Sequence, residues 1–402
     1  MPEAVIVSTA RSPIGRAFKG SLTEVRPDDL AATIIKAAMD QVPALTSDMI
    51  DDVHLGCGLP GGEQGFNMAR VVTTLLGWET PGTTLTRYCA SSLQTSRMAF
   101  HAIKAGEGDA FVSAGVEMVS RFVKGSSDSL EGTMNPTFDQ AQARTQETAE
   151  NGAASWSPPE GLPDIYIPMG QTAENVALLK GVSRERQDDF AFESQRRYAA
   201  ALADGFWERE ITPVALPDGS IMDADDSPRP GTERDKLGEL APVFRPDGTV
   251  TAGNACPLND GAAAVVIMSD TKAAELGLEP LARIVSTGVS ALNPEIMGLG
   301  PVEATRKALA HAGLSIGDID VAEINEAFAA QVIPSADELG IDFDKLNPHG
   351  GSIAVGHPFG CTGARITGTL LNGLQALDGT FGLETMCVGG GQGMAMIVER
   401  LK

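Results

Sequence analysis

The sequence predicts an α/β protein in which one layered unit occurs twice, the first copy carrying a long insertion. Three observations lead there. Apolar β-rich runs alternate with helical patterns toward both ends of the chain. The run Ala282-Arg-Ile-Val-Ser-Thr repeats the opening Ala4-Val-Ile-Val-Ser-Thr, and similar elements follow each in the same order. Between about 121 and 251 the composition changes to prolines, charges and turn dipeptides, as in SWSPPEGLPD and DDSPRPGTERD. A chain of 402 residues also exceeds the usual size of one compact core. The expected division is residues 1–121 completed by about 252–277, an inserted loop domain at 122–251, and a second copy at 278–402.

Each element has its own signal. Ala4 to Thr9 is apolar and β-rich, and Arg11, Ser12 and Pro13 end it. A helical spacing follows from Asp29 to about Gln41, and Val53 to Cys57 reads as the next strand. Ser91 to Ala105 carries a helical pattern closed by Gly106, ahead of a strand from Ala110 to Ala114. Within the insertion, Ser183 to Ala203 is the clearest helix, with Ser183 as its N-cap. In the second copy a helix spans Pro301 to Gly313 and a strand Val321 to Ile324, and Met386-Cys-Val-Gly-Gly-Gly stands where Phe111-Val-Ser-Ala-Gly stood in the first.

Composition narrows the function. Hydrophobic residues make up 43% and charged residues 21%, ordinary for a soluble globular protein. A net charge of −23 opposes nucleic-acid and anionic-membrane roles, which need a basic surface. A phosphate-bearing ligand would have to be held by local features, such as a few arginines or a helix N-terminus. No stretch approaches the roughly 20 apolar residues that span a bilayer, and MPEAVIVSTARSP does not read as a signal peptide. Five cysteines without CxxC pairs fit a reduced, cytoplasmic protein better than a disulfide framework or a structural zinc site, and no metal is expected.

Several residues could do chemistry. Cys89, in TLTRYCASSLQTSRMAFHAIKAG, lies just ahead of a helix whose unpaired N–H groups would favour a thiolate, the reactive form. Alone it reads more readily as a small buried hydrophobe. His357 sits in GGSIAVGHPFGCTGARITG, whose six glycines let the backbone turn sharply toward a ligand or another loop. His54, His101 and His311 lie in strand or helix patterns and read as structural, while His349 stays open. Cys387 precedes Val388-Gly-Gly-Gly-Gln-Gly, bare backbone suited to holding an oxyanion or, alternatively, a phosphate. Asn325 and Glu326, in EINEAFAA, place two polar side chains in an apolar surround at a strand-to-helix junction, where a helix cap is the plainer reading.

Taken together, RYCASSLQ, NEAFA, GGxxAxGHPxGxxG and CxGGGxG, in that order, resemble the signature blocks of the thiolase family. MGQTAENVA from Met169 and TVTAGNACPLNDGAAA from Thr249 extend the likeness over essentially the whole chain. The resemblance implies duplicated α/β halves in a layered αβαβα core, with the insertion binding coenzyme A. It implies that Cys89 is the nucleophile, His357 the base that activates it, and Cys387 the acid/base at the substrate α-carbon. Asn325 would hold a water forming one oxyanion hole with the His357 ring, and the N–H groups of Cys89 and Gly389 would form the other. CoA contacts would come from Arg229 at the adenine nucleotide and Phe244 along the pantetheine arm, with Met169 and Phe328 at the acyl end. CoA and acyl-CoA would be substrates, with no bound cofactor, in a homodimer or homotetramer.

Two departures bear on specificity. Cys256 stands where the family usually has serine, which weakens an expected hydroxyl contact to CoA. Pro168-Met169-Gly170 replaces the HMG-like run of acetoacetyl-CoA thiolases, and with the GCTG after His357 it resembles degradative 3-ketoacyl-CoA thiolases of fatty acid β-oxidation. The expected reaction is CoA-dependent cleavage of 3-ketoacyl-CoA to acetyl-CoA and a shortened acyl-CoA. A biosynthetic acetoacetyl-CoA thiolase is the nearest alternative. A carrier-protein-dependent condensing enzyme, or an inactive acyl-CoA or lipid carrier, fits less well, because the catalytic positions are all occupied and Cys387 is not the histidine or asparagine of condensing relatives.

Overall fold

The computed structural model describes residues 2–124 and 131–401. The first half contains β1 (Ala4–Arg11), the short β2 (Gly15–Arg16), α1 (Pro27–Asp40), β3 (Asp52–Gly56), α2 (Met68–Leu75), β4 (Gly82–Leu85), α3 (Ser91–Ala105) and β5 (Ala110–Met118). Helix α1 starts on Pro27 with Asp28 and Asp29 in its first turn, a combination that suits the N–H-rich, positive end of a helix. Helix α3 stops at Gly106, whose φ of 77° is left-handed and costs glycine nothing.

The insertion supplies α4 (Asp139–Asn151), α5 (Met169–Lys180), α6 (Arg184–Ala203), a small hairpin of β6 (Val214–Ala215) and β7 (Ile221–Met222), and α7 (Arg234–Gly238). Ser183 caps α6, its side chain accepting from the Arg186 N–H at 3.2 Å. The chain then returns to the first half with β8 (Asn259–Ser269) and α8 (Asp270–Glu275). The second half contains β9 (Ala282–Ala291), α9 (Gly300–Ala312), β10 (Val321–Ile324), α10 (Ala329–Leu339), α11 (Ser352–Val355), α12 (Thr362–Ala376), β11 (Phe381–Val388) and β12 (Gln392–Arg400).

The main strands run β10-β11-β12-β9-β1-β8-β5-β3-β4 across one mixed sheet. Between β1 and β9 the pairing is confined to Val5 with Arg283 and Ile6 with Ala282. The sheet therefore divides into two halves, and β9-β12-β11-β10 repeats the order β1-β8-β5-β3. Polarity repeats as well: β5 with β3 and β11 with β10 are parallel, while β8 and β12 run antiparallel to their neighbours. Where β4 would recur, a single parallel bridge between Ala322 and Leu346 remains. The shared order is what an internal duplication produces.

Three apolar clusters place the layers. Ile34, Ile35 and Val72 of α1 and α2 cover one face of the first half-sheet. Ala308, Leu309, Val332 and Ala336 of α9 and α10 cover the outer face of the second. Between the half-sheets, Leu93 and Ile103 of α3 pack with Ile366, Leu370 and Leu374 of α12. The result is an αβαβα stack with α3 and α12 as its central layer. These two helices meet at their N-terminal ends. A Cβ on Gly363 would stand 2.3 Å from the Leu93 backbone nitrogen, and the Ala364 N–H donates to Ser92 Oγ at 2.9 Å. Whatever immediately precedes each helix is thus brought to the same place. No helix among the described residues is long and apolar enough to cross a membrane.

Candidate active site

The residue preceding α3 by two positions is Cys89, held in a single 3-10 turn, Tyr88–Ala90, and almost completely buried at 7% exposure. Its sulfur faces two backbone N–H groups, that of Gly389 and its own. Burial nonetheless dominates and pushes the thiol up to about 12, against those N–H groups, with the Glu117 carboxylate adding to the rise. The thiolate expected from the helix N-terminus is therefore not the resting form: the apolar surround outweighs the partial charge of the helix end. A base must remove the proton when substrate binds.

Gly389 belongs to the turn between β11 and β12, where Gly390 and Gly391 take φ of 75° and 76°. A Cβ at Gly391 would lie 2.3 Å from the Leu292 carbonyl, so the turn sits closer to its neighbour than any side chain permits. That turn carries the Gly389 N–H to Cys89. Cys387, at the end of β11, is fully buried, and its thiol is raised by burial first and then by the neighbouring Cys89 and Cys256. Cys256 is half-buried, and its N–H donates to the Ala327 carbonyl at 3.1 Å. Its thiol is raised by burial and next by Cys89, so the position expected to contact CoA lies against the candidate catalytic thiols.

His357 precedes α12, its ring buried and its pKa lowered to about 3 by burial, with the charge of Arg365 contributing. The imidazole is neutral at physiological pH and able to take a proton. Its Nδ1 lies 2.7 Å from Thr362 Oγ1, and its Nε2 lies 3.2 Å from Asn325 Nδ2. Asn325 thus touches the ring directly, while its Oδ1 accepts from Ser352 Oγ at 2.6 Å. The loop that carries His357 is tied by the buried Glu117 of β5, which accepts from the N–H groups of Gly360 at 2.8 Å and Gly58 at 2.6 Å and from Gln64 Nε2 at 3.0 Å. Sequence reasoning missed Glu117, although an acidic residue inside the apolar run SAGVEMVS was the signal. Glu326 accepts from Ser194 of α6, from Asn347 and from the Ile353 N–H in the first turn of α11 at 2.7, 2.7 and 3.0 Å, so it braces the start of α11 against α6.

A cavity of about 380 Å³ opens onto Cys89 and Gly389, walled by Tyr88, Ile165, Tyr166, Met169 and Phe359. Cys387, Phe244, Phe328 and Met169 share one apolar cluster with Met297 and Val250. The Phe244 and Phe328 rings meet edge-on with centroids 6.2 Å apart, and Phe244 lies so close over Gly170 that a Cβ there would be 2.3 Å from the ring. Arg229 stands apart from this cavity, exposed, with its guanidinium held below its ordinary value by partial burial and by the nearby Arg16. Neither arginine is in an ion pair among the described residues. His349 stacks on Phe206 at 3.8 Å and His54 on Phe111 at 5.4 Å, which makes both parts of the packing. No grouping of His, Cys, Asp or Glu suited to a metal ion occurs among the described residues.

The chain as a whole is similar to known proteins. The family description "Thiolase, N-terminal domain" matches residues 4–271 and "Thiolase, C-terminal domain" matches residues 278–400. The 3-ketoacyl-CoA thiolase of Bacillus subtilis (strain 168) is 43% identical over 413 residues, covering 99% of this chain and 100% of the relative. The beta-ketoadipyl-CoA thiolase of Acinetobacter baylyi is 42% identical over 414 residues, covering 100% of both. The crystal structure of human mitochondrial 3-ketoacyl-CoA thiolase in complex with CoA superposes with a TM-score of 0.86 at 33% identity, covering 100% of this chain and 98% of that one.

Proposed function

The chain belongs to the thiolase family and is an acyltransferase acting on CoA thioesters, and on that premise we propose that it cleaves 3-ketoacyl-CoA through an acyl-Cys89 intermediate. The observation that carries the reading is that two neighbouring buried thiols, Cys89 and Cys387, share their surroundings with the Gly389 N–H where a cavity opens onto Cys89 and Gly389, while a neutral His357 sits on the loop leading into α12, whose first turn meets that of α3. His357 takes the Cys89 proton, and the thiolate attacks the 3-keto carbon of the substrate. The C–C bond breaks, and its electron pair leaves on the α-carbon as the enolate of acetyl-CoA. Cys387 gives that carbon a proton, which suits a thiol that burial keeps protonated. CoA then takes the acyl group from Cys89, the proton of its thiol restores Cys387, and the departing Cys89 thiolate recovers its proton from His357.

Oxyanion charge arises on the 3-keto oxygen when the thiolate attacks, on the thioester oxygen of the acetyl-CoA enolate as the C–C bond breaks, and on the acyl-Cys89 oxygen when CoA attacks. The N–H groups of Cys89 and Gly389 supply one hole, and Asn325 with His357 supplies the other; a donor of this kind contributes about 3 kcal/mol to the transition state. Met169, Phe244 and Phe328 form the apolar wall along the acyl and pantetheine groups. Arg229 and Arg16, two adjacent cations without ion-pair partners among the described residues, suit the nucleotide phosphates of CoA. A homodimer or homotetramer is supported by β4, which ends the sheet order with its outer edge unpaired among the described residues. Five free cysteines, two of which must stay thiols for turnover, favour a reducing, cytoplasmic setting.

Intact-mass measurement after mixing with acyl-CoA should show one acyl adduct, absent in Cys89→Ala. Retention of the adduct by that variant overturns the assignment. A series of 3-ketoacyl-CoA esters of increasing length, read by acetyl-CoA release, then defines the acyl group.

A further inference from the structure

Behind His357, an uninterrupted line of hydrogen bonds leads to a buried arginine that the reaction itself does not use. Arg365, in the first turn of α12, is 1% exposed. Its Nη2 donates to Ser352 Oγ at 2.7 Å. Ser352 Oγ lies 2.6 Å from Asn325 Oδ1, Asn325 Nδ2 lies 3.2 Å from His357 Nε2, and His357 Nδ1 lies 2.7 Å from Thr362 Oγ1. Thr362 Oγ1 is 2.8 Å from the Pro358 carbonyl oxygen, where the line ends. Every side chain in it is buried.

The two ends dictate the direction. A guanidinium only donates and a carbonyl only accepts. Because Ser352 Oγ receives the Arg365 N–H, its own proton goes to Asn325 Oδ1. The Asn325 amide is then oriented with its NH₂ toward the imidazole, so His357 Nε2 must accept and its proton must reside on Nδ1. Thr362 accepts that proton's bond and passes its own to Pro358. Reversing the imidazole would turn Nε2–H against an NH₂ group and take the Thr362 hydroxyl from the Pro358 carbonyl, which would keep only the N–H groups of Cys361 and Thr362 at 3.0 and 3.1 Å.

We propose that Arg365 is a positioning residue: as the obligate donor at the head of this line, it fixes His357 as the Nδ1–H tautomer and leaves Nε2 as the basic nitrogen. The assignment of His357 as the base rests on the mechanism above; the tautomer does not. Arg365 has a second effect in the same direction, since its charge disfavours the imidazolium before substrate arrives.

The test uses full-length protein labelled with 15N in the histidine rings, without substrate, and reads the two ring nitrogens of His357, identified by the signals lost in His357→Asn. The wild type should show a protonated Nδ1 and an unprotonated Nε2. Arg365→Lys, which keeps an obligate donor, should retain that pattern. Ser352→Ala, which removes one oxygen and leaves Arg365 in place, should shift His357 toward Nε2–H and slow acylation of Cys89 at least about tenfold. Arg365→Gln, able to donate or accept, should do the same. A protonated Nε2 in the wild type, or a wild-type pattern in Ser352→Ala, overturns the proposal. Because the spectra need no turnover, absence of an acyl adduct would bear on the mechanism and leave this reading standing.

Discussion

Cys387 is sealed at the end of β11, and burial keeps its thiol protonated, as the proton source of the proposed mechanism must be. Replacing it should separate the two steps proposed for Cys89 and Cys387. In Cys387→Ala, Cys89 should still be acylated by acetyl-CoA, while exchange of the acetyl-CoA α-protons into deuterated water falls by about 10²–10⁴-fold; unchanged exchange would remove Cys387 from the α-carbon. A second buried group, Glu323 of β10, is raised to about 8 by burial, with Arg365 opposing the rise. An unfolded glutamate titrates near about 4.3, so between those values the native state holds the extra proton. Stability therefore falls as pH rises through that window, by at most about 1.4 kcal/mol per pH unit. Glu323→Gln should match the wild type near pH 5 and exceed it near pH 8.5 in urea unfolding, and an equal difference at both pH values would contradict this. His357, Cys387 and Asn325 were legible in the sequence because each stands in an unusual local setting, a glycine run or a polar pair in apolar surroundings, whereas Cys89 became legible only when the distant blocks were read beside it. Ser352 and Arg365 were not, since a serine before an apolar turn and an arginine in a helix each look ordinary until the fold shows that both are buried.

Helices α3 and α12 bring the site together because small residues let their first turns touch. Gly363→Ala puts a methyl group 2.3 Å from the Leu93 backbone nitrogen, which no rotamer relieves. It should destabilise the fold by about 1–3 kcal/mol and lower kcat by moving His357 relative to Cys89; urea unfolding and steady-state kinetics check both, and a wild-type kcat would mean that the helices can separate without disturbing the site. The bounds of α3 and its glycine stop were readable residue by residue, because an αL glycine after a periodic run is a strong local signal. Strand β1 runs on to Arg11, past the sequence boundary at Thr9, since Arg11 is itself buried against Glu210 and Asp225 at 2.5 and 2.7 Å. A charge that ends a strand in the sequence can continue it when partners arrive from a distant segment. The long β8 was the least legible element: GAAAVVIM lacks a period of two because both faces are covered, and its place between β1 and β5 is set by pairing some 150 residues or more from each neighbour.

At the scale of the whole molecule, a net charge of −23 repels an anionic substrate before the local arginines can act. Raising ionic strength from about 10 to 150 mM shortens the screening length from about 30 to 8 Å, so kcat/KM for CoA should rise over that range, the reverse of an enzyme with a basic funnel. A fall would mean that Arg16, Arg229 or others already control the approach. The composition made this visible at once, whereas the division of labour between the halves needed the structure. Their sheets share only the pairs at Val5 and Ile6, and Cys89 belongs to one half while His357, Asn325 and Cys387 belong to the other. While the chain is being made, the first half displays its thiol with no base beside it and lacks β8 until residue 269 has emerged. On the proposed mechanism a growing or half-folded chain has no base beside Cys89, and acylation assisted by His357 waits until the second copy closes over the first.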